Sequence, residues 1–242
     1  MKILASDFDG SACRHGSVSE ADRAAISRWR AAGNQFGIVT GRFYTALEPI
    51  FSAGMELDFV VASNGAIIVA PDRRYLDQKL ADGGILPASA ALARKMGAKG
   101  LAISLENTVV ELNFSHPQNE TDALARKLKQ FEQFSVYFHS DEEASAYLEA
   151  QRAAQGAFCN PLQNSANVDV PPVGIDKPAG IRRYLARLDA APEKVITFGD
   201  NYNDIAMLTA FEGFAVSDGK EAVKQAAGRV ADSLEELIEK FL

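Results

Sequence analysis

The chain begins with the stretch KILASDFDGS at residues 2–11, in which a short apolar run ends in two aspartates and a glycine. The apolar run predicts a β-strand over residues 2–6, and its lack of polar alternation favours a strand that is buried on both faces. In open parallel sheets, ligands bind beyond the carboxyl ends of the strands. Asp7 and Asp9 therefore lie where we expect a binding or catalytic site.

Strands and helices alternate in both end regions of the chain. Ser19 is typical of the N-cap of a first helix, which we expect to end near Gly33. Further strands are predicted at 36–39, 58–62, 194–198, 214–216 and 229–231, and further helices at 44–53, 177–188, 204–211, 220–227 and 234–242. This alternation of short apolar strands with helices predicts a parallel sheet that is covered by helices on both faces.

The middle of the chain follows a different pattern. We expect strands there at 101–105, 109–114, 136–139, 157–159 and 167–170, and helices at about 120–134 and 142–154. Because strands and helices come in strand–strand–helix blocks, this region predicts an α+β insert rather than more of the parallel sheet. We place the insert at residues 80–170, between the segments 1–79 and 171–242 that form one α/β core.

Composition limits the classes of partner. The 242 residues carry a formal net charge of −7 without a basic run, so neither nucleic acid nor an anionic membrane is an expected partner. Cys13 and Cys159 are the only cysteines, which fits a reducing cytosol, and we expect a cytoplasmic protein. The longest apolar stretch, 59–70, is interrupted by Ser63-Asn64-Gly65 and predicts no membrane span.

Asp7 and Asp9 have the residue types that two steps of phosphoryl transfer require. An ionised carboxylate can attack phosphorus and form an aspartyl-phosphate. A second carboxyl group can protonate the leaving alcohol and then deprotonate the attacking water. Taken alone, Asp-x-Asp-Gly fits a polar turn about equally well, because Asp and Gly favour turns. Three further segments favour the catalytic interpretation.

Thr40, Gly41 and Arg42 follow the second predicted strand. A hydroxyl group and free backbone N–H groups at such a position can hold phosphate oxygens, and glycine lets the backbone approach closely. The alternative is an ordinary strand-to-helix turn, with Thr40 as an N-cap and Arg42 as a surface cation.

Lys177 precedes Pro178, and proline favours the first position of a helix, so Lys177 is the expected N-cap. The helix macrodipole disfavours a cation there, whereas a bound phosphate would reverse that balance. The alternative is a solvated lysine at an exposed helix start.

Gly199, Asp200, Asn203 and Asp204 follow another predicted strand and open the next helix. Together with Asp7 they would bring several carboxylates to one sheet edge, where like charges repel unless a cation neutralises them. Mg²⁺ suits oxygen ligands that are shared with phosphate. We expect the side chains of Asp7 and Asp200 and the backbone carbonyl of Asp9 to bind it. Asn203 and Asp204 would orient these ligands or hold Lys177, unless the segment is only an Asp- and Asn-rich helix start.

The four segments together resemble the haloacid dehalogenase-like superfamily, and within it the Cof-type (type IIB) phosphatases, which carry a cap between the second and third motifs. Residues 7–11 match the first motif, Thr40 the second, Lys177 the third and residues 199–204 the fourth. Residues 63–66 and 169–177 also look like that subfamily. The resemblance covers 1–79 and 171–242. Ser11 stands in place of the usual threonine, and Pro178 in place of a common glycine.

The resemblance implies a Rossmann-like parallel sheet, an α/β cap that closes over the site, and hydrolysis of a small phosphate ester, often a sugar phosphate. It implies that Asp7 is the nucleophile and Asp9 the general acid/base. The implied phosphate-binding residues are Thr40 and Lys177, to which we add Gly41, Arg42 and Asn203, and the implied Mg²⁺ ligands are Asp7, Asp9 and Asp200, supported by Asp204. The expected assembly is a monomer or a weak homodimer.

Three other functions fit part of this pattern. A phosphomutase would share the aspartyl-phosphate and return the phosphoryl group to its product. A phospho-ligand sensor without catalysis would have no use for the proton carrier Asp9, and a dehalogenase none for the acidic cluster at Asp200.

Several polar residues receive no role from the sequence. Cys13 and His15 lack an identifiable orienting partner, and His116 and His139 lack metal-ligand spacing. A polar loop is the expected environment of the group late in the insert, which consists of Asn160, Gln163, Asn164 and Asn167.

Overall fold

The computed structural model describes residues 1–115 and 127–242, which form a larger sheet of eight strands, a smaller sheet of five strands and a short two-stranded ribbon, with their helices. The strands are β1 (Lys2–Ser6), β2 (Gln35–Val39), β3 (Phe59–Ala62), β4 (Ile67–Val69), β5 (Tyr75–Gln78), β6 (Ala81–Asp82), β7 (Gly100–Leu105), β8 (Thr108–Asn113), β9 (Gln130–Phe131), β10 (Gln133–Tyr137), β11 (Leu162–Asn164), β12 (Asn167–Val170), β13 (Lys194–Gly199), β14 (Glu212–Val216) and β15 (Val230–Ala231). The helices in the described ranges are α1 (Glu20–Ala31), α2 (Glu48–Phe51), α3 (Leu86–Lys95), α4 (Asp141–Gln155), α5 (Lys177–Leu185), α6 (Ile205–Ala210), α7 (Glu221–Ala227) and α8 (Leu234–Phe241).

The larger sheet has eight strands in the order β15-β14-β13-β1-β2-β3-β4-β5. Its strands from β15 to β3 are parallel, and β4 and β5 extend one edge in antiparallel orientation. β1 lies in the interior between β13 and β2, so the carboxyl ends of these three strands lie side by side. The predicted α/β fold class is confirmed, and the antiparallel edge was missed.

Alternate residues of the central strands face two separate apolar layers. Leu4 packs on the side of α1 and α8, where Trp29 is fully buried. Ile3 and Ala5 pack on the opposite side, against α5, α6 and α7. Each large side chain that is buried in these layers stabilises the fold by about 1.5–3 kcal/mol, and the layers fix the sheet edge that carries the site.

The smaller sheet lies within the predicted insert and has the strand order β11-β12-β10-β7-β8, with all neighbours antiparallel. One of its faces is apolar and packs against α3 and α4. Phe134, Val136 and Val168 belong to this buried face. Because successive side chains of a strand point to opposite faces, the intervening residues form the other, more polar face. Within the described ranges, no helix is both long enough and apolar enough to cross a membrane.

Three predicted elements of secondary structure differ from the structure. The helix at 44–53 is a 3₁₀ turn at Tyr44–Ala46 followed by α2, because Pro49 has no N–H group with which to continue a longer helix. The helix at about 120–134 lies partly outside the described residues, and its last part is wrong, because 130–131 and 133–134 belong to β9 and β10. No strand forms at 157–159, where Cys159 makes only an isolated bridge to Pro172.

Candidate active site

Asp7 lies at the carboxyl end of β1. Its N–H group donates a hydrogen bond of 2.8 Å to the carbonyl of Phe198 in β13, which continues the parallel pairing beyond the strand. The chain then turns at Gly10, whose φ of +83° lies in the left-handed region. A Cβ atom at Gly10 would also lie 2.6 Å from Oδ2 of Asp200. Glycine therefore allows Asp200 to approach the turn that follows Asp7.

Lys177 forms buried ion pairs with an aspartate from the N-terminal part of the chain and with one from its C-terminal part. Its Nζ atom lies 2.6 Å from Oδ1 of Asp7 and 2.5 Å from Oδ1 of Asp204, and its side chain is fully buried. The remaining Asp204 oxygen accepts hydrogen bonds from the N–H groups of Asp200 (3.0 Å) and Asn201 (2.9 Å). The carboxylate of Asp200 in turn accepts a hydrogen bond of 2.7 Å from the hydroxyl of Ser11. We refer to Asp7, Lys177, Asp200 and Asp204 as the lysine cluster.

The prediction that Lys177 is a helix N-cap is wrong. The N-cap is Asp176, whose carboxylate accepts a hydrogen bond of 2.8 Å from the N–H group of Ala179. An aspartate can satisfy a free N–H group at a helix start, and a lysine has no acceptor for it. Lys177 is the first residue of α5, which directs its ammonium group into the lysine cluster.

Burial dominates the electrostatics of the lysine cluster. It raises the pKa of Asp7 well above its usual range, and the charges of Asp204 and Asp200 act in the same direction against that of Lys177. Burial is also the first cause that raises the pKa of Asp200 to about 6. For Lys177, burial lowers the pKa, but Asp204 and Asp7 outweigh it, so the pKa is raised and the amine stays protonated.

The lysine cluster has the composition of a divalent-metal site. Asp7, Asp200 and Asp204 can each offer an oxygen, and these oxygens lie within 4.8 Å of one another. Both oxygens of Asp204 already have partners, whereas Oδ2 of Asp7 and of Asp200 accepts no hydrogen bond from the described residues. One ammonium group cannot balance three carboxylates, and hard cations such as Mg²⁺ prefer oxygen ligands. These observations fit Asp7 and Asp200 as ligands with Asp204 behind them; the backbone carbonyl of Asp9 stays a predicted ligand.

A pocket of about 90 Å³ opens beside Asp7. Six of its eight lining residues were predicted from the sequence as site residues, namely Asp7, Asp9, Thr40, Gly41, Arg42 and Asn203. The other two are Asn164 and Asn201. The volume suits a phosphoryl group better than a whole small-molecule ligand, for which sites of about 300–1,000 Å³ are typical. Asp7 is the member of the lysine cluster that lines this pocket. Lys177, Asp200 and Asp204 are connected to the pocket through Asp7.

Arg42 binds Asp9 in the described arrangement. Its Nε and one terminal nitrogen lie 2.7 and 2.8 Å from the two oxygens of the Asp9 carboxylate, a bidentate pair. The other terminal nitrogen donates 3.1 Å to the carbonyl of Ala46, and the guanidinium lies 5.4 Å from the ring centre of Phe8. The sequence predicted Arg42 as a phosphate ligand and gave no sign of its pairing with Asp9.

A buried polar network connects the smaller sheet to the pocket wall. The amide nitrogen of Asn64 lies 3.0 Å from both Gln133 Oε1 and Asp169 Oδ2, and its oxygen accepts 3.1 Å from Asn203. The side-chain amide of Gln133 also donates a hydrogen bond of 3.0 Å to the carbonyl of Gly41. Asn64 has a φ of +47°, a left-handed conformation that asparagine tolerates better than most residues. The sequence showed Asn64 and Asp169 only as part of the family resemblance.

Asp169 and Glu132 are buried carboxylates without a cation in hydrogen-bonding contact among the described residues. Asp169 accepts from Ser135 (2.6 Å), Asn64 (3.0 Å) and Asn164 (3.2 Å). Glu132 accepts hydrogen bonds from Ser104 (2.7 Å), from the backbone of Glu106 (3.1 Å) and, in the larger sheet, from Tyr75 (3.5 Å) and Gln78 (2.6 Å). Burial raises the pKa of both carboxyl groups. We call these two carboxylates and the side chains that donate to them the cap clasp.

Asn164 was expected in a polar loop, and the structure instead places it at the end of β11 and in the lining of the pocket. Its side-chain oxygen accepts a hydrogen bond of 2.9 Å from Asn201, which lies in the loop after β13 of the larger sheet. Nothing local in the sequence distinguishes Asn164 from its polar neighbours, because its position depends on how the two sheets face each other. Cys13 and His15 are not in this lining, and His116 lies outside the described residues.

Comparison with known proteins supplies the family. A model of haloacid dehalogenase-like hydrolases matches residues 4–237. A 5-amino-6-(5-phospho-D-ribitylamino)uracil phosphatase of Bacillus subtilis is 26% identical over 237 residues, which cover 96% of this chain and 90% of that protein.

Solved structures agree in fold. A sugar phosphatase of haloacid dehalogenase subclass IIB superposes with a TM-score of 0.81 at 21% identity and covers 100% of this chain and 99% of its own. A phosphatase from Bacteroides thetaiotaomicron superposes with a TM-score of 0.80 at 24% identity, and the match covers 99% of this chain and 93% of that protein. The family match and the phosphatase relatives identify the protein as a hydrolase of phosphoric monoesters. The chain, with its aspartate pair after β1 and its buried lysine opposite, belongs to the haloacid dehalogenase-like hydrolase family.

Proposed function

We propose that the protein hydrolyses a small phosphorylated metabolite, in particular a sugar or polyol phosphate, through an aspartyl-phosphate on Asp7. The observation that carries this proposal is the position of the Asp7 carboxylate. It lines the pocket beside Thr40 and Asp9, while Lys177 holds one of its oxygens and leaves the other without a hydrogen bond from the described residues. A fixed carboxylate with one free oxygen is suited to attack a bound phosphorus atom.

Two half-reactions would follow from this arrangement. In the first, an Asp7 oxygen bonds to phosphorus, the bond from phosphorus to the ester oxygen breaks, and Asp9 gives its proton to the leaving alcohol. In the second, Asp9 takes a proton from water, the water oxygen bonds to phosphorus, and the bond to Asp7 breaks to release inorganic phosphate. Asp9 must leave its ion pair with Arg42 to carry the proton, and this frees the guanidinium to face the phosphoryl oxygens.

The remaining pocket residues would hold the oxygens that are not transferred. Thr40 offers its hydroxyl, Gly41 its backbone N–H group and Asn203 its amide. The backbone N–H group of Arg42 donates a hydrogen bond of 3.1 Å to the Thr40 hydroxyl, so Arg42 would act through its guanidinium. Lys177, which contacts Asp7, would place a positive charge close to the bound phosphoryl group. Asp7 and Asp200, with the Asp9 carbonyl, would hold Mg²⁺, whose charge offsets the carboxylates and favours binding of the phosphate dianion.

We assign substrate selection to residues 80–170 as a cap. This assignment draws on the contacts of Asn164 and Gln133 with the pocket wall and on two relatives. One is named as a phosphatase of a phosphoribityl compound, and the other is described as a sugar phosphatase. A cytoplasmic location stays a prediction.

The proposal is tested by Asp7→Asn against the matched change Asp72→Asn, which removes an exposed carboxylate between β4 and β5. With Mg²⁺ and a panel of sugar phosphates, we expect the first variant to lose at least about 10³-fold in kcat and the second to keep wild-type turnover. Acid quenching of the wild-type enzyme should trap phosphate on Asp7. Wild-type turnover in Asp7→Asn would refute the covalent route, and a phosphorylated product in place of inorganic phosphate would indicate a mutase.

A further inference from the structure

The peptide group between Gly41 and Arg42 lies beside the phosphate pocket and is held from two sides. Its carbonyl oxygen accepts a hydrogen bond of 3.0 Å from the side-chain amide of Gln133, which belongs to β10 of the smaller sheet. Its N–H group donates a hydrogen bond of 3.1 Å to the hydroxyl oxygen of Thr40. Because a peptide group is planar, fixing the carbonyl also fixes the direction of the N–H group. Gln133 therefore sets the geometry of the contact between Arg42 and Thr40.

This contact determines what the hydroxyl group of Thr40 can do. A threonine hydroxyl has one proton to donate and can accept two hydrogen bonds. The N–H group of Arg42 occupies one acceptor position, and none of the described residues accepts the hydroxyl proton. Thr40 lines the phosphate pocket, so this proton is left to donate to a phosphoryl oxygen there.

Gln133 is also connected to Asn203, the second side-chain donor in the phosphate pocket. The side-chain oxygen of Gln133 accepts a hydrogen bond of 3.0 Å from the amide of Asn64, whose own oxygen accepts a hydrogen bond of 3.1 Å from Asn203. An asparagine amide carries two N–H bonds, so Asn203 keeps one of them for a ligand. Gln133 thus contacts the groups that orient both donors.

Gln133 itself is not placed to touch a substrate. Its side chain is fully buried, and Gln133 is not among the described residues that line the phosphate pocket. Its amide nitrogen contacts Gly41 and Ser135 (3.3 Å), and its oxygen contacts Asn64, so both polar atoms have partners within the protein. An effect of Gln133 on catalysis must therefore pass through its neighbours. These neighbours face the phosphoryl group, which all substrates share, and not the alcohol part, which differs between them.

The space around Gly41 supports the same coupling. A Cβ atom at this position would lie 2.9 Å from Oδ2 of Asp169 and 3.0 Å from Nδ2 of Asn64. Any larger residue would push the loop away from these groups. Glycine therefore lets Asp169 of β12 pack directly against the backbone that binds the phosphate.

We propose that Gln133 is a positioning residue for the phosphoryl group, which acts through the peptide between Gly41 and Arg42 on the hydroxyl of Thr40. A residue of the smaller sheet thereby contributes to phosphate binding whatever alcohol the phosphate carries. The inference rests on the proposed phosphatase function and extends it to the residue that orients the phosphate-binding loop.

The test compares Gln133→Met with Gln151→Met. Both changes replace a fully buried glutamine by a residue of similar size, but Gln151 lies on α4, where its amide donates a hydrogen bond of 2.8 Å to Ser89. In Gln133→Met, kcat/KM should fall about tenfold or more, and by the same factor within about threefold, for p-nitrophenyl phosphate and for ribose 5-phosphate. The dissociation constant of inorganic phosphate, measured by calorimetric titration with Mg²⁺ present, should rise by a similar factor. Gln151→Met should change each value by less than about threefold.

A double-mutant cycle tests the route through Thr40. Thr40→Val removes the hydroxyl group and keeps a side chain of similar shape. If Gln133 acts by orienting that hydroxyl, Gln133→Met should weaken phosphate binding much less in the Thr40→Val protein than in the wild type. Equal weakening in the two backgrounds would overturn the proposal.

The remaining results are also decisive. No loss in Gln133→Met, a loss confined to ribose 5-phosphate, or equal losses in Gln151→Met would each overturn the positioning role. A wild-type protein that binds phosphate but hydrolyses neither compound would reject the proposed function, while the titrations would still decide the role of Gln133. A wild-type protein that does not bind phosphate would reject both.

Discussion

The lysine cluster and the cap clasp both bury carboxylates, and they do so in different ways. In the lysine cluster a single ammonium contacts two carboxylates at 2.5 and 2.6 Å. In the cap clasp, Glu132 and Asp169 accept hydrogen bonds only from neutral donors among the residues that the structure describes. Ionic pairing fixes charged groups where we propose that chemistry occurs, whereas neutral donors join the two sheets.

The energetic consequences of these two arrangements differ. Removing one partner of a buried ion pair leaves an uncompensated charge, which costs about 3–5 kcal/mol. A carboxylate bound by neutral donors can take up a proton instead, and its raised pKa expresses that tendency. Both groups contain carboxylates whose pKa is raised, so both respond to pH, but only the lysine cluster is left with an uncompensated buried charge when its cation is removed.

The largest effect is expected from Lys177→Met. This change leaves Asp7 and Asp204 buried without their shared cation, so the free energy of unfolding should fall by about 3–5 kcal/mol. Urea denaturation at neutral pH without divalent metal measures the change, and turnover should fall with it. Lys224→Met is the control, since Lys224 pairs with Glu221 on an exposed helix face where such pairs contribute about 0–1 kcal/mol. Equal losses in the two variants would contradict the distinction.

The second prediction concerns Mg²⁺. Because the lysine cluster holds more negative than positive charge, the metal should raise the melting temperature. At a concentration 100 times Kd the stabilisation is about 2.7 kcal/mol. Asp200→Asn should remove the shift, and Asp169→Asn, which changes the cap clasp, should retain it. An unchanged wild-type melting curve at millimolar Mg²⁺ would argue against the metal site.

The smallest effect is expected from Glu132→Gln and appears as a change in pH dependence. The pKa of Glu132 is raised in the folded protein, so the folded state binds its proton more tightly than the unfolded state does. This group's contribution to stability is therefore present at acidic pH and is lost as the pH rises from about 4 through the raised value. Glutamine does not titrate.

Thermal unfolding of both proteins between pH 4 and pH 7 measures this difference. Relative to the wild type, Glu132→Gln should become more stable over that interval. The phenol of Tyr75, which also faces Glu132, has a pKa raised far above this range by burial and by Glu132 itself, so it does not titrate there. Parallel curves for the two proteins would show that Glu132 does not carry the dependence.

The sequence predicted the sheet edge well because the information there is local. Asp7, Thr40 and Asp200 each follow a short apolar strand, and a parallel sheet brings such strand ends together whatever the loops do. The helix α5 starts at Lys177, as predicted, but its N-cap was wrong by one residue, because the carboxylate of Asp176 can accept a hydrogen bond from a free N–H group at the helix start and Lys177 cannot.

The polar contacts between the two sheets were not predictable in the same way. Asn64 meets Asp169 and Gln133 only because the smaller sheet lies against the strand ends at one particular angle. No hydrophobic period or turn signal encodes that angle. The pairing of Arg42 with Asp9 was missed for a related reason, since the turn after β1 bends the chain in a way that residue types alone do not fix.

The interior position of β1 has a consequence for synthesis. Lys2 pairs with Lys194, so β1 leaves the ribosome long before the strand that covers one of its sides. Until β13 emerges, the nascent chain presents a row of unpaired backbone groups that could bind another strand, and large proteins with such late contacts are prone to aggregate during folding. The same delay keeps Asp7 away from Lys177 and Asp200 until translation has nearly ended, so we expect a product that is truncated before Lys177 to lack phosphatase activity.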